Sequence, residues 1–503
     1  MSYRLLIVIF FTLGLVGILN HAMWRDELNG WLLARDSNTI FELFSNVKYE
    51  GHPLLWYLCL DLLNQLTSNP VAMQILHLFI ATVSAYLFLR YSPFKNREKI
   101  LFIFGYLPFY EYLVVSRNYA IGLFFIVLFC IFFETRKKSY LLLSLILALM
   151  ANTNAYCLLI AIALEITLIL EYLFQKKINC KLTAKPQNIF ISLIIFSLGV
   201  IISVAVLIPP MDSNLQGGAT QWMLQFDLFH LAKAITRIWN SYILILVPAD
   251  SRFLDVSIFA LLSLGILAFV ATIFIKKPIA LFFYLFASLE ILAFTYIKFL
   301  GSARHYGHLY LILIISLWLS SYYPQSDLLV NLFRKLPNKI ESAIAYWIKF
   351  VNQYKTTFIM VILSAQLAAG IFSFSRDLLI PYSASRATAQ FIQNQQLEQM
   401  LIVGSEDFAI TPICGYLNRK IYYPESRQLG SFVLFNNQRQ SIDADGVLEQ
   451  VSQLSKKENK DILLILNYEL NHSRNDLKIS ALAKFTNAFI HNEKYYLYLV
   501  KKI

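Results

Sequence analysis

Residues 5–19 have the sequence LLIVIFFTLGLVGIL, an apolar run without a single charged side chain. A helix that crosses a bilayer needs about 20 mainly apolar residues, so this run predicts a first membrane span near residues 5–20. Arg4 precedes the run, as it would in a signal peptide, but no A-x-A cleavage site follows before His21. We therefore expect an uncleaved span.

The composition of the whole chain agrees with this beginning. Of its 503 residues 57% are hydrophobic and 15% charged, and the mean hydropathy is +0.56, whereas a soluble domain is about 45–50% apolar and about 25% charged. The formal net charge of +12 fits the positive-inside rule, so we expect no nucleic-acid partner. The five cysteines have neither C-x-x-C nor zinc spacing, which argues against a disulfide framework and a cysteine metal site.

Further apolar segments predict an α-helical polytopic membrane protein with about eleven transmembrane helices. They lie near residues 5–20, 70–89, 99–115, 118–133, 139–151, 155–174, 188–208, 256–275, 279–297, 304–322 and 357–375. Basic residues cluster on alternate connections, which predicts a cytoplasmic N-terminus and an outer C-terminal domain in a plasma (inner) membrane. The clusters are Arg90, Lys95, Arg97 and Lys99; Arg136, Lys137 and Lys138; Lys176, Lys177, Lys181 and Lys185; Lys276 and Lys277; and Arg334, Lys335, Lys339, Lys349 and Lys355.

This topology places three segments outside the membrane: loops 21–69 and 209–255, and the tail 376–503. Two segments within the loops are apolar: Asp227 to Val247 and Pro53 to Leu66. Counting the first as a span would place Lys276 and Lys277 outside, against the positive-inside rule. We expect surface helices at both, with Asp227 to Val247 interfacial or re-entrant. The polar tail predicts a small α/β domain, with strands near 400–403, 461–466 and 495–500 and a helix near 446–454.

An acidic pair, Asp26 and Glu27, follows the first span within Trp24-Arg25-Asp26-Glu27. Asp26 could simply cap a helix, with Glu27 favoured by the helix dipole. Alternatively, an ionised carboxylate beside the membrane could act as a general base toward an alcohol. Glu50-Gly51-His52-Pro53 follows in the same loop; a turn explains Gly51 and Pro53 but leaves His52 without a structural reason.

Two later stretches carry charge at predicted outer ends of spans. Tyr110 to Tyr119 contains Glu111 and Arg117, which could pair with each other or face a cavity, since ionisable groups are costly in a membrane. Gly301 to His308 contains Arg304, His305 and His308 on one helical face. An Arg–His cluster at headgroup level suits a phosphate, and the two histidines alone could instead bind a metal.

Taken together, Arg25-Asp26-Glu27, Glu50-Gly51-His52-Pro53, the Tyr110 to Tyr119 stretch and Arg304-His305 resemble the GT-C superfamily of membrane glycosyltransferases. That group includes protein O-mannosyltransferases, lipid A aminoarabinose transferases and oligosaccharyltransferases. The resemblance covers residues 1–375, the membrane domain, and leaves 376–503 as the outer domain. The tail lacks the Trp-Trp-Asp signature of oligosaccharyltransferases, which argues against transfer of a whole oligosaccharide onto asparagine.

The resemblance implies an inverting transfer of a sugar from a polyprenyl-phosphate-linked donor to a hydroxyl of a lipid, glycan or protein acceptor. Asp26 would be the base, and Glu27 would orient the acceptor or a metal. Arg117, Arg304 and His305 would hold the donor phosphate, with His52, Glu111 and His308 completing the substrate site. A divalent cation is compatible with the resemblance, but the sequence specifies no ligand set for one.

Two other functions use the same residues. A flippase or transporter for a lipid-linked glycan would line a pathway with Asp26, Glu111 and Arg304, although transporter charges usually lie near the membrane midplane. A polysaccharide polymerase or ligase would carry its key Arg and His in a large loop between later spans. The early acidic pair and the charges at predicted outer ends favour the transferase.

Overall fold

The computed structural model of the protein describes residues 2–177, 182–215, 222–244 and 252–502. These residues are mostly helical, with one small sheet near the C-terminal end. The first helix begins where the Ser2 hydroxyl accepts a hydrogen bond from the Leu5 amide, the usual role of a capping serine. In chain order the helices are α1 Tyr3–Asn20, α2 Arg25–Asp36, α3 Ile40–Val47, α4 Leu55–Asn64, α5 Val71–Tyr91, α6 Asn96–Ile103, a π-helix Tyr106–Val114, α7 Tyr119–Phe132, α8 Leu141–Ala151, α9 Ala155–Phe174, α10 Pro186–Leu207, α11 Leu228–Ile243, α12 Phe253–Ile273, α13 Pro278–Ile297, α14 Ala303–Tyr306, α15 His308–Ser320, α16 Leu328–Phe333, α17 Asn338–Leu379, α18 Ser385–Asn394, α19 Asp407–Leu417 and α20 Ala444–Glu458.

Eight helices within the described residues are long and apolar enough to cross a membrane, judged by length and composition. They are α1, α5, α7 together with the 3-10 turn Phe133–Lys137, α9, α10, α12, α13 and α17. The chain is therefore compatible with a multi-pass membrane protein, as the sequence predicts. Helix α17 has 42 residues and extends well beyond the apolar stretch 357–375 that predicts it.

The other three expected spans, 99–115, 139–151 and 304–322, are helical but short or broken, so the count of eleven is not reproduced by helix length. Helix α8 has only 11 residues. The α-helix of the first segment ends at Ile103, and a π-helix continues after Gly105. The third segment breaks at Gly307, where an added Cβ would lie 2.7 Å from the Leu107 side chain. The two breaks thus pack closely against each other.

Both apolar surface segments form helices that are shorter than a span. Pro53 to Leu66 contains α4, and Leu62 and Leu66 remain exposed on it. Asp227 caps α11, while the expected end of that segment at 245–247 lies outside the described residues. The Trp239 amide donates to Ser263 Oγ in the middle of α12. Gln366, about two thirds of the way along α17, donates to the Ser241 carbonyl. Helix α11 therefore ends partway along its long neighbours.

The C-terminal part forms a six-stranded sheet in the order β3-β2-β1-β4-β6-β5. Its strands are β1 Leu401–Ser405, β2 Ile421–Tyr423, β3 Gln428–Gly430, β4 Ile462–Leu466, β5 Leu477–Phe485 and β6 Tyr495–Lys502. Strand β1 is parallel to β2 and β4, with Val403 opposite both Tyr422 and Leu464, and the other pairs are antiparallel. The expected strands are β1, β4 and β6, and the expected helix is α20.

The sheet domain packs on the loop 21–69. The Met23 amide donates to the Tyr416 hydroxyl at 2.8 Å, and the Arg25 amide donates to Glu493 at 3.1 Å. The Asn29 side chain accepts from the Val433 amide at 2.8 Å. Because these bonds fasten α2 to the sheet domain, the two form one layer above the long helices.

Candidate functional site

A cavity of about 880 Å³ lies between this layer and the ends of the long helices. Five of the eight side chains that the sequence selects line it: Asp26, His52, Arg117, Arg304 and His305. Four separate parts of the chain contribute them, namely the start of α2, the turn before α4, the connection after the π-helix, and α14. The folded chain thus brings together most of the site that the motifs predict.

Asp26 is the centre of the cluster. Its Oδ2 atom lies 2.7 Å from Arg117 Nη1 and 2.8 Å from Arg304 Nη2. Burial raises the pKa of this carboxyl, but the positive charges of Arg117, Arg304 and Arg25 outweigh it and lower the pKa to about 2. The helix cap lies at Trp24, one residue before α2 begins, so the capping role considered for Asp26 is wrong. Asp26 is a carboxylate at every physiological pH.

Arg117 reaches Asp26 because the backbone that carries it is fixed. Its carbonyl lies 2.8 Å from His77 Nε2, and its Nη2 donates to His52 Nε2 at 2.7 Å. Burial and the charges of Arg117 and Arg304 lower the pKa of His52 to about 3. His52 is therefore a neutral acceptor that positions Arg117.

Arg304 presents its guanidinium between Asp26 and the ring of Trp24, whose centroid is 5.3 Å from Cζ. Its Nε is buried and has no hydrogen-bond partner among the described residues. An unpartnered buried donor next to a cavity is costly unless a ligand or water binds it. The site thus has unused capacity for an acceptor atom such as a phosphate oxygen.

His305 and His308 separate in the structure. The His305 ring lines the cavity and stacks on Tyr156, with the centroids 5.4 Å apart. His308 is 1% exposed, and its Nδ1 bonds to the His305 carbonyl at 2.8 Å. Within the described residues no group of three or more His, Cys, Asp and Glu side chains is arranged to hold a metal ion. His308 therefore supports α14 and α15 from behind the cavity.

Glu27 and Glu111 also lie behind the cavity wall formed by the described residues. Glu27 is 1% exposed, and it accepts hydrogen bonds from the Ser116 amide at 2.7 Å and the Trp24 amide at 3.2 Å. Glu111 accepts from the Tyr106 hydroxyl at 2.6 Å. Their positions do not suit the expected contact with a substrate, because neither side chain belongs to the cavity lining.

His21 explains why Glu27 is buried. It lies between Glu27, at 2.9 Å from Nε2, and Asp377 at the end of α17, at 2.7 Å from Nδ1. Burial lowers the pKa of His21, but the two carboxylates and their hydrogen bonds prevail and raise it to about 10. The His21 imidazolium therefore fastens the ends of α1 and α17 to the start of α2.

Several cavity residues are not among the candidates that the sequence selects. Glu50 precedes His52 and binds Asn29 at 2.7 Å; burial, only partly offset by Arg117, raises its pKa to about 7. Arg25, Lys298 and Arg439 add positive charge to the lining. Glu50 and Arg25 belong to quoted motifs, whereas Arg439 lies in a polar loop with no local signal. Cations outnumber carboxylates on the wall, so the cavity favours an anion.

One side of the cavity is apolar. The ends of α10 and α13 contribute Leu207, Ile208 and Phe294, and Phe299 follows them. Ile208 is 62% exposed, so this wall continues onto the exposed face of α10. A ligand with an anionic head and a hydrocarbon chain would match both sides.

Comparison with known proteins adds no assignment: no family model matches the sequence, and no curated protein matches it.

Proposed function

We propose that this protein is a membrane glycosyltransferase with a GT-C-like arrangement, which moves a sugar from a polyprenyl-phosphate-linked donor to a hydroxyl acceptor outside the plasma membrane. The observation that carries the proposal is the pair of ion pairs that Arg117 and Arg304 form with Asp26. All three side chains line a large cavity with one apolar wall. These parts correspond to a phosphate site, a base and a lipid path.

The donor fits the two sides of the cavity. Its phosphodiester would bind Arg117 and Arg304, since guanidinium groups hold phosphate oxygens with paired, charge-assisted hydrogen bonds. The unpartnered Arg304 Nε would supply one of these bonds. The polyprenyl chain would leave along Ile208 and the face of α10.

The chemistry follows from this placement. Asp26 accepts the proton of the acceptor hydroxyl, and the hydroxyl oxygen attacks C1 of the sugar. The bond from C1 to the phosphate oxygen breaks, and both electrons leave with the phosphate, whose charge the two arginines stabilise. Because the hydroxyl oxygen attacks from the side opposite the leaving phosphate, the configuration at C1 is inverted.

Donor binding also changes Asp26. A phosphate that takes the guanidinium donors competes with Asp26 Oδ2 for them, and it adds negative charge beside the carboxylate. Both effects raise the carboxylate's proton affinity. A carboxylate that is a very weak base in the empty site becomes a stronger one when the donor is bound.

We also propose eleven crossings, because each short segment connects opposite ends of the helix bundle. One end is marked by Tyr3, which bonds to Asn96, and the other by Glu27. The segment 96–116 begins beside Tyr3 and ends where the Ser116 amide meets Glu27.

The other two short segments have the same property. The segment 140–152 begins where the Tyr140 amide donates to Asn188 in the first turn of α10. It ends where the Asn152 carbonyl accepts from the Leu55 amide at the start of α4. The segment 304–323 begins at Asp26 and ends where Lys277 bonds to the Tyr323 carbonyl. Eleven crossings would place the N-terminus and the sheet domain on opposite sides of the membrane, and the basic clusters would make the N-terminal side cytoplasmic.

A transporter is less well supported. The charges of the cavity lie at the ends of the helices beside the sheet domain, whereas a transport site normally lies near the midplane. A direct test uses purified protein in liposomes with radiolabelled polyprenyl-phosphate sugars and a panel of hydroxyl acceptors. Label on an acceptor supports the transferase, and movement of intact donor between leaflets without transfer supports the transporter.

A further inference from the structure

A second pair of cations lines the cavity on the side of the sheet domain. Arg25 and Arg439 both approach the ring of Phe408, with Cζ 5.0 Å and 5.5 Å from its centroid. Arg439 also lies 5.6 Å from the ring centroid of Phe435. All four side chains belong to the cavity lining. This cluster is separate from Arg117 and Arg304.

Asp26 lies between the two cationic groups. Its Oδ2 binds Arg117 and Arg304, whereas its Oδ1 lies 3.6 Å from Arg25 Nε. A nucleophile that gives its proton to Oδ1 would therefore reach Asp26 from the side of Arg25. The two oxygens of Asp26 thus face different cations within one cavity.

Asp407 fixes the orientation of Arg439, and Arg25 is only weakly paired. Asp407 holds Arg439 through Nε at 2.7 and 2.8 Å and through Nη2 at 2.7 Å. These bonds use one edge of the guanidinium and leave Nη1 out. The Arg25 side chain is 30% exposed and has only the long contact with Asp26 as an ion pair within the described part of the chain.

We infer that Arg25 and Arg439, around Phe408, bind an anionic group of the acceptor: a phosphate or carboxylate on the glycan that bears the attacking hydroxyl. Two guanidinium groups match such an anion, and the Phe408 and Phe435 rings offer flat apolar surfaces for a sugar ring. The inference rests on the proposed function, because only a transferase has an acceptor substrate. It gives the sheet domain the role of selecting the acceptor.

Binding alone tests the inference, without any sugar transfer. The full-length protein in lipid nanodiscs is saturated with polyprenyl phosphate, so that Arg117 and Arg304 are occupied. Two matched pairs of probes are titrated by calorimetry: methyl mannoside 6-phosphate against methyl mannoside, and methyl glucuronide against methyl glucoside. We expect at least one anionic probe to bind about ten- to a hundredfold more tightly than its neutral partner, and the two pairs distinguish phosphate from carboxylate.

Two independent variants assign the preference to the cluster. Arg25→Gln keeps the backbone bond to Glu493, and the double variant Asp407→Asn/Arg439→Gln keeps a neutral pair in place of the ion pair. Each should reduce the preference for the anionic probe by about tenfold. Lys484→Gln, an exposed site on β5, removes one charge from the same domain and should leave the preference intact.

Equal affinities within both pairs for the wild-type protein would overturn the inference. So would a preference that persists in both variants, because another cation would then be responsible. If the variants behave as expected but no transfer occurs, the anion site stands and the proposed transferase function fails.

Discussion

Arg304 Nη2 donates to Asp26 Oδ2 at 2.8 Å, although 278 residues separate the two in the chain. Arg117 meets the same oxygen, so one carboxylate atom joins the loop 21–69 to two distant connections. The consequence is competition: a phosphate that binds both arginines must share them with Asp26. Under the proposed function, donor binding and the proton affinity of Asp26 are therefore coupled.

Replacing Arg304 tests the phosphate site. Arg304→Ala should weaken binding of polyprenyl phosphate about ten- to a hundredfold, because a charge-assisted contact is lost. Asp26 keeps Arg117 as a partner, so we expect the protein to remain folded. Fluorescence titration in nanodiscs measures the affinity, and Arg334→Ala, in the exposed connection before α17, is the control. Wild-type affinity in well-folded Arg304→Ala protein would remove Arg304 from the site.

Glu50 should make donor binding depend on pH. Its pKa of about 7 lies near neutrality, whereas those of Asp26 and His52, at about 2 and about 3, lie far below. As the pH rises through 7, Glu50 becomes negative near Arg117 and opposes an anion. Affinity for a sugar phosphodiester, whose own charge is constant, should fall a few-fold from about pH 6 to about pH 8. The affinity of the Glu50→Gln variant for the phosphodiester should change little over that range. If the variant instead lost affinity with rising pH as wild type does, the assignment to Glu50 would be contradicted.

The His21 bridge should control stability. His21→Ala leaves Glu27 and Asp377 buried without their cation, which typically costs about 3–5 kcal/mol. The stabilisation from a raised histidine pKa is complete below the unfolded value of about 6.5 and is lost as the pH rises through about 10. The melting temperature should therefore be lower in the variant, and the difference from wild type should shrink from pH 7 toward pH 10. His472→Ala, exposed in the sheet domain, is the control; equal melting temperatures for His21→Ala and wild type would refute the bridge.

Reporter fusions test the eleven crossings. Alkaline phosphatase should be inactive when fused after Lys138 and active when fused after Ile503, because the enzyme folds only outside the cytoplasm. An inactive fusion at Ile503 would mean an even number of crossings. In that case at least one of the short segments does not traverse the membrane.

The sequence predicts the long helices well because each needs only its own apolar residues. It predicts the short segments less well, since their breaks depend on distant packing: Gly307 meets Leu107 across nearly 200 residues of chain. Strands β2 and β3, with three residues each, carry too short a pattern to detect.

The residues of the site also divide into those that the sequence predicts and those that only the folded chain brings to the cavity. Asp26, Arg117 and Arg304 stand out because charges beside apolar segments are rare. Glu27 carries the same signal, but it is buried against His21. Of the acidic pair, only Asp26 lines the cavity. Arg439 gives no signal because charged residues are common in a polar domain. Only the packing of that domain on α2 brings it to the cavity.

The most direct test of the account is the pair of properties measured on Asp26→Asn protein: sugar transfer from a polyprenyl-phosphate donor, and affinity for polyprenyl phosphate. Removal of the base should lower transfer about 10²- to 10⁴-fold. Removal of the competing carboxylate should leave the affinity equal to that of wild type or higher, while Asp61→Asn on α4 changes neither property. Transfer by folded Asp26→Asn protein within a few-fold of wild type would contradict the account.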